Sequence, residues 1–159
     1  MPKIDIAKVP GVTSSNYPAK FRHIMGNRTR QALGDAAGLT QFGVRLTRLP
    51  KGAGTSQRHW HLTEDEFIYV LEGEVTLTTN AGEEILRPGE AAGFPAGVAD
   101  GHSLTNKGDA DAVFLEIGTR SHSDLIEYPD IDMRGMRIGN LALLPIRQVF
   151  RIRNIDGRL

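Results

Sequence analysis

The residues best suited to chemistry lie in QRHWHLTEDE, positions 57–66, where two histidines are followed by carboxylates. Side chains of an extended strand alternate between its two faces, so His59 and His61 would point to the same side. Glu66, at the start of the next predicted strand, can face them across the turn. Imidazole nitrogens and carboxylate oxygens bind divalent transition metals, and the absence of cysteine excludes thiolate ligation. The pattern predicts part of a metal site.

A further ligand must come from another part of the chain. The segment GEAAGFPAGVADGHSLTN, residues 89–106, is a glycine- and proline-rich turn that leads into a short predicted strand and contains His102. We expect His102 to complete the site. An HxH pair alone is more commonly a surface or hydrogen-bonded feature, so the metal prediction depends on this distant histidine.

Short strands must position these residues. Segments with alternating, β-branched or aromatic residues occur at 42–50, 66–79, 83–90 and 112–120. Gly73 interrupts the second segment, and glycine-containing turn signals separate the others. Short strands at regular spacing predict an all-β sandwich or barrel. Helical periodicity is weak, and residues 31–38 are expected to form a single helical turn at most.

Alternation in the strand after the turn predicts which side chains face the interior. With Glu66 inward, Ile68 and Val70 are inward as well. The residues expected to form an outer apolar stripe are Trp60, Phe67, Tyr69 and Leu71. A stripe of this kind needs a cover, and we expect a second subunit to provide it, giving a homodimer.

Length and composition favour one globular domain without nucleic-acid or membrane partners. The 159 residues are enough for a real core, and 40% of them are hydrophobic. Lysine plus arginine and aspartate plus glutamate balance at 19 each, which does not favour an anionic partner surface. No apolar run is long enough for a membrane helix, and the N-terminus lacks the apolar region of a secretory signal. We expect a cytoplasmic protein.

The chain divides into three predicted parts. Residues 41–120 hold the candidate barrel, residues 1–40 are expected to form an extended arm packed on it, and residues 121–159 a second strand or arm. The second arm is rich in arginine, including Arg147 and Arg151. We interpret it as an edge strand or a segment docked on a partner subunit, in preference to a phosphate-binding segment.

Two motifs resemble those of the cupin superfamily. His59, His61, Glu66 and Gly73 match its first motif, in which HxH is followed after four residues by glutamate and after six more by glycine. The residues that resemble the second motif are Gly89, Pro95, Gly97, His102 and Asn106. The two motifs span about residues 52–106.

This resemblance to stand-alone, single-domain cupins implies a jelly-roll β-barrel, or double-stranded β-helix, that is commonly dimeric. It also implies one divalent metal held by three histidines and one glutamate, here His59, His61, Glu66 and His102. Some small cupins of this pattern are described as sugar-phosphate isomerases. The resemblance therefore implies a small-molecule substrate or ligand.

The chain departs from the family pattern at two places. The glycine usually found six positions before the first histidine is replaced by Ala53, although glycines stand on both sides of it. The second-motif histidine usually follows the PxG glycine by three residues, where this chain has Asp100. His102 keeps the expected spacing to Asn106, so it is the favoured ligand. Asp100 is the alternative, and two carboxylates would suit harder ions.

Nitrogen and oxygen ligation fits Mn, Fe, Co, Ni, Cu or Zn, and the sequence does not distinguish among them. Such an ion could polarise a carbonyl group or chelate a hydroxy acid. Side chains of the strands near the site are candidate pocket residues, namely Arg45, Gln57, Ile68, Val70, Phe94 and Asp100.

Three functions are compatible with these features. The favoured one is a small metalloenzyme acting on an oxygenated substrate, as a sugar or sugar-phosphate isomerase or as a dioxygenase. The alternative is a non-catalytic barrel that binds or senses a metal or small molecule, and a storage barrel is disfavoured because all four ligand types are present. An isomerase needs a base near the metal, yet no inward acid beyond Glu66 is evident. A base or a phosphate-binding arginine on the barrel wall would favour the enzyme, and a purely apolar wall the sensor.

Overall fold

The computed structural model describes residues 3–139 and 141–143, and nearly half of these residues lie in short strands. The strands are β1 Gly11–Val12, β2 Thr29–Ala32, β3 Phe42–Leu49, β4 Trp60–His61, β5 Glu66–Glu72, β6 Val75–Thr79, β7 Gly82–Leu86, β8 Ala91–Phe94, β9 Ser103–Thr105, β10 Ala112–Thr119, β11 Ser123–Tyr128, β12 Met133–Ile138 and β13 Leu141–Leu143. The helical segments are α1 Leu33–Ala36 and the 3₁₀ turns Ile6–Lys8, Ala19–Phe21 and His23–Met25. No helix in the described ranges is long and apolar enough to cross a membrane.

The strands form antiparallel sheets in two layers. One layer is a six-stranded sheet with the order β1-β2-β3-β10-β5-β8. The other combines a three-stranded sheet, β7-β6-β9, and a four-stranded sheet, β13-β12-β11-β4. Bridges from His59 to His102 and from Gly54 to Thr105 connect these two smaller sheets. The expected all-β jelly-roll fold is confirmed.

The core lies between the layers. Its side chains come from both sheets, and they include Leu49, Ile68, Val70 and Phe114 from the six-stranded sheet and Val75, Leu77, Leu86 and Leu104 from the three-stranded one. Phe114 is fully buried at the centre of β10. Burying a side chain of this size contributes roughly 1.5–3 kcal/mol to stability. Side chains of the core therefore hold the six-stranded and the three-stranded sheets together.

The alternation predicted for β5 is present. Ile68 and Val70 are 4% and 0% exposed, whereas Phe67, Tyr69 and Leu71 are 42%, 39% and 41% exposed. Inward and outward faces therefore follow the period of two expected for a half-buried strand.

The motif glycine Gly73 is required by the turn between β5 and β6. Its φ of 68° lies in the left-handed region, and a Cβ atom there would lie 2.5 Å from the carbonyl oxygen of Asp111. Any other residue would be strained and would also clash with the backbone. This glycine lets β6 begin directly after the strand that carries Glu66.

The segments predicted as arms are continuous with the sheets. Strand β2 pairs with β3 along the edge of the six-stranded sheet, and β11 pairs with β4 through Ile126 and His61. Each of the two segments therefore pairs through one strand with residues 41–120. Arg147 and Arg151 of the predicted arginine-rich arm lie outside the described residues.

Candidate metal centre and its cavity

The backbone brings the two histidine segments together. His59 and His102 form an antiparallel bridge in which each backbone N–H donates to the other carbonyl, at 3.1 and 2.8 Å. His61 follows in β4, and Glu66 is the first residue of β5. A pair of residues directly opposite each other projects side chains to the same face. Four side chains from distant parts of the chain therefore meet at one point.

The three imidazoles surround one carboxylate oxygen. The Nε2 atoms of His59, His61 and His102 lie 3.6, 3.4 and 2.9 Å from Oε2 of Glu66. The ligand atoms of His59, His61 and Glu66 all lie within 4.8 Å of one another. Distances of this size leave space for a single ion among these atoms after a small adjustment of the side chains.

Neighbouring groups set the tautomers of two rings. Nδ1 of His61 lies 2.5 Å from Oδ2 of Asp124, which can only accept a proton when ionised. Nδ1 of His59 lies 3.0 Å from the carbonyl oxygen of Gln57. Both Nδ1 atoms must therefore carry hydrogen, which leaves the Nε2 lone pairs directed at the cluster. This is the tautomer that a metal-binding histidine needs.

His102 is held by packing. Its ring stacks on Phe94, with centroids 3.6 Å apart and an interplanar angle of 4°. Its Nδ1 atom is buried and has no hydrogen-bond partner in the described structure, while Nε2 faces Glu66. The aromatic contact fixes the plane in which the ring presents Nε2.

Electrostatics favour the protonation states of a metal site. Burial lowers the pKa of His59 to about 4, so the ring is neutral at physiological pH. Burial alone would raise the pKa of Glu66, but the hydrogen bond with His102 and the other two imidazoles hold it well below its usual range. Burial opposes the protonation of His61, yet the hydrogen bond with Asp124 raises its pKa overall. The neutral ring of His59 and the ionised Glu66 suit a divalent transition ion, whereas at His61 a metal would have to displace a proton.

Asp100 takes a different position from His102. Its Oδ1 atom accepts a hydrogen bond of 2.7 Å from the backbone N–H of Asn80. The side chain lines a neighbouring pocket of about 80 Å³ and fastens the β6–β7 turn to the loop before His102. The structure brings His102 to Glu66, and it gives Asp100 a role in the loop.

A cavity of about 220 Å³ opens onto the cluster. Arg45, Ile68 and Phe94, which were predicted as pocket residues, line it. Three other predicted pocket residues, among them Asp100, do not belong to this lining. Gln57 turns away because its amide donates to the carbonyl oxygen of Phe21, and Val70 is fully buried in the core.

Comparisons with known proteins show the family of this chain. The sequence model of the cupin domain matches residues 45–118. A crystal structure described as a sugar phosphate isomerase from a cupin superfamily, from Silicibacter pomeroyi, shares 39% identity. The alignment covers 92% of this chain and 94% of that one, with a TM-score of 0.89. The chain belongs to the cupin superfamily.

Other solved structures resemble this cupin less closely. A candidate sugar phosphate isomerase from Acidithiobacillus ferrooxidans is 34% identical over 79% of this chain and 80% of that one, with a TM-score of 0.72. The polyketide cyclase RemF from Streptomyces resistomycificus is 24% identical over 75% of this chain and 79% of that one, with a TM-score of 0.61, and shows the shared fold alone. No curated protein sequence matches the chain.

The cupin wall opposite the histidines carries an acid that the sequence analysis missed. Glu116 pairs with Arg45 on one side and with Ile68 on the other, so it faces the interior and lines the cavity. Nη2 of Arg30 lies 2.9 Å from its Oε1 atom. The signal was present, since Glu116 follows the buried Phe114 by two residues and must share its face.

Two tyrosines close another side of the cupin cavity. Tyr128 of β11 stacks near His59, with centroids 5.7 Å apart and an interplanar angle of 22°, and Tyr17 meets Tyr128 edge-on. Burial raises the pKa of both phenols, so both stay neutral and can donate hydrogen bonds. Tyr17 comes from a loop with no periodic pattern, and no feature of the sequence marked it.

Proposed function

We propose that this cupin is a metal-dependent isomerase that interconverts the aldose and ketose forms of a small sugar derivative. The observation that carries the proposal is the position of Glu116, an ion-paired carboxylate in the same cavity as the histidine and glutamate cluster. A cavity with a candidate base opposite a candidate metal centre has the two parts that such a reaction requires.

The ligands in this proposal are His59, His61, Glu66 and His102. Three imidazoles and one carboxylate would hold a divalent ion and leave the centre with a net positive charge. When bound, the ion would polarise the carbonyl oxygen and an adjacent hydroxyl group of the sugar. Asp124 is the positioning residue of the centre, because its contact with Nδ1 of His61 directs Nε2 inward.

Glu116 is the proposed base. The ion pair with Arg30 holds this carboxylate in place at the cavity wall, where it can take a proton from the carbon next to the carbonyl group of the sugar. The protonated carboxyl group then returns a proton, which can first exchange with solvent, to the neighbouring carbon. A second proton passes from the hydroxyl oxygen to the former carbonyl oxygen, so the reaction needs no oxidant or second substrate. Tyr128 and Tyr17, as neutral donors, can hold hydroxyl oxygens of the sugar. A purely apolar wall would have favoured a non-catalytic barrel.

The structural comparisons support the same reaction class. The two more similar solved proteins, at 39% and 34% identity, both carry a sugar phosphate isomerase description. Those descriptions belong to those proteins, and they are consistent with the acid, arginine and tyrosine groups of this cavity.

Proton transfer to solvent provides the test. Purified protein loaded in turn with Mn, Fe, Co, Ni or Zn would be incubated in D₂O with a panel of aldoses, ketoses and their phosphates, and NMR would follow conversion and deuterium uptake. Glu116→Gln should lower the rate by about 100-fold or more, since general bases contribute this much. Glu84→Gln on β7, exposed and away from the cavity, is the matched control. If folded, metal-loaded wild-type protein gave neither conversion nor deuterium uptake, the isomerase proposal would fail.

A further inference from the structure

We propose that Arg28, Arg30 and Arg45 form a binding subsite for a phosphate group beside the candidate metal cavity. The subsite narrows the substrate class to a sugar that carries a phosphomonoester. The assignment of the substrate class rests on the proposed isomerase function, whereas the subsite rests on the arrangement of charges.

Strand pairing places Arg30 and Arg45 on one face, and Arg28, just before β2, lines the same cavity. Arg30 lies opposite Thr47, and Arg45 lies opposite Ala32, so the two are diagonal neighbours on β2 and β3. Arg45 also pairs with Glu116, which faces the interior. Arg28 precedes Arg30 by two residues and is 4% exposed. Like charges so close together on one sheet face repel each other, which disfavours the fold unless a negative charge lies among them.

Two cavities meet at these residues. A space of about 430 Å³ is lined by all three arginines, and it shares its boundary side chains with the metal cavity, namely Tyr17, Arg30, Arg45, Ile126 and Tyr128. The metal cavity alone, at about 220 Å³, is smaller than a usual small-ligand pocket of about 300–1,000 Å³. A ligand that fills both would have one end at the metal centre and the other among the arginines.

Carboxylate partners distinguish these arginines from their neighbours. At the rim, Arg120 is paired with Asp35 and Arg137 with Glu64. Among the residues that the structure describes, Arg30 is the one subsite arginine with an acidic partner, which is Glu116. Within residues 3–139, no carboxylate lies at ion-pair distance from Arg28 or Arg45. Three positive charges and one negative charge leave an excess of two, which matches a phosphate dianion.

Two buried donors in the subsite lack partners. The Nε atoms of Arg28 and Arg30 are buried without a hydrogen bond in the described structure, while Nη1 of Arg28 donates to the carbonyl oxygen of Thr55. Burial, followed by the charge of Arg30, lowers the pKa of Arg28 to about 10, so it remains charged at neutral pH. Buried unpaired charges and donors are costly, and the oxygen atoms of phosphate can satisfy several guanidinium donors together.

Inorganic phosphate is the probe for the subsite. Isothermal titration at low ionic strength would compare wild-type protein with Arg45→Gln, because Arg45 is exposed and its loss should leave the fold intact. Losing one charged partner should weaken phosphate binding by about ten-fold or more. The matched control is Arg48→Gln on the same strand, whose side chain pairs with Asp111. It should bind phosphate as tightly as wild type, and Arg45→Lys should retain part of the affinity.

Two further experiments distinguish the possible sources of phosphate binding. His59→Ala, which removes a candidate metal ligand, should bind phosphate with unchanged affinity, since the arginines and not a metal hold it. Acetate at the same concentration should compete weakly, because it carries one charge. Equal phosphate affinities for Arg45→Gln and Arg48→Gln, loss of binding in His59→Ala, or equal competition by acetate would each overturn the subsite. These binding results do not depend on turnover, so the subsite can fail while isomerisation is observed, or stand while it is not.

Discussion

Nδ1 of His61 lies 2.5 Å from Oδ2 of Asp124, and this contact joins the HxH strand to β11, 63 residues further along the chain. Asp124 is buried and also accepts hydrogen bonds from the backbone N–H and the hydroxyl group of Thr63, at 3.0 and 2.9 Å. Burial alone would raise the pKa of Asp124, but these hydrogen bonds lower it overall. A carboxylate held ionised behind a histidine fixes the tautomer of the ring.

Asp124→Asn should therefore weaken metal binding without removing any ligand. The amide of asparagine accepts the Nδ1 proton of His61 less strongly than the carboxylate does, because it carries no charge. Changes of this kind lower metal affinity by about 10–100-fold. Competition titration with a chromogenic chelator would measure the affinity. The control is Asp132→Asn, at an exposed residue of the turn between β11 and β12. An affinity equal to that of wild type would argue against the positioning role of Asp124.

His59→Ala should remove the metal while the barrel stays folded. The ring contributes one ligand nitrogen and is not part of the hydrophobic core between the sheets. Elemental analysis after dialysis would give the metal content, and circular dichroism would report the fold. His122→Ala, an exposed histidine, should keep the metal. Unchanged metal content in His59→Ala would show that the ligand assignment is wrong.

The choice between His102 and Asp100 can be tested by a pair of variants. His102→Ala should lose metal, because its Nε2 atom lies 2.9 Å from Glu66. Asp100→Ala should keep metal and lose only the hydrogen bond that fastens Asn80, so its thermal unfolding should shift slightly downward. Metal content and melting temperature would be measured on both proteins. The opposite pattern would assign Asp100 to the centre.

The outer face of β5 tests the predicted homodimer. Phe67, Tyr69 and Leu71 are exposed side by side at about two-fifths of their surface, and a second copy would bury them. Leu71→Glu should shift the protein toward monomer, as measured by light scattering across a concentration series. Leu62→Glu, at a residue 47% exposed in the loop between β4 and β5, is the control. A wild-type protein that is monomeric at high concentration would remove the basis for this prediction.

The sequence alone determined the features that depend on local periodicity. Alternation with a period of two placed His59 and His61 on one face, Glu66 inward and Phe67 outward, because adjacent side chains of a strand must point in opposite directions. The spacing of the two motifs was sufficient to predict the cupin barrel and the histidine cluster. The sequence also identified Gly73 as the motif glycine, and in the structure its turn admits no side chain.

Only the tertiary structure decided which distant residues face that cluster. Asp124, Glu116 and Arg30 meet the site through strand pairing between segments far apart in the chain, and periodicity within one strand carries no information on its partner or register. Gln57 has the right parity but turns away, because the strand is regular only from Trp60. The pattern of His59, His61 and Glu66 is thus local, whereas the charged wall of the cavity is a product of long-range packing.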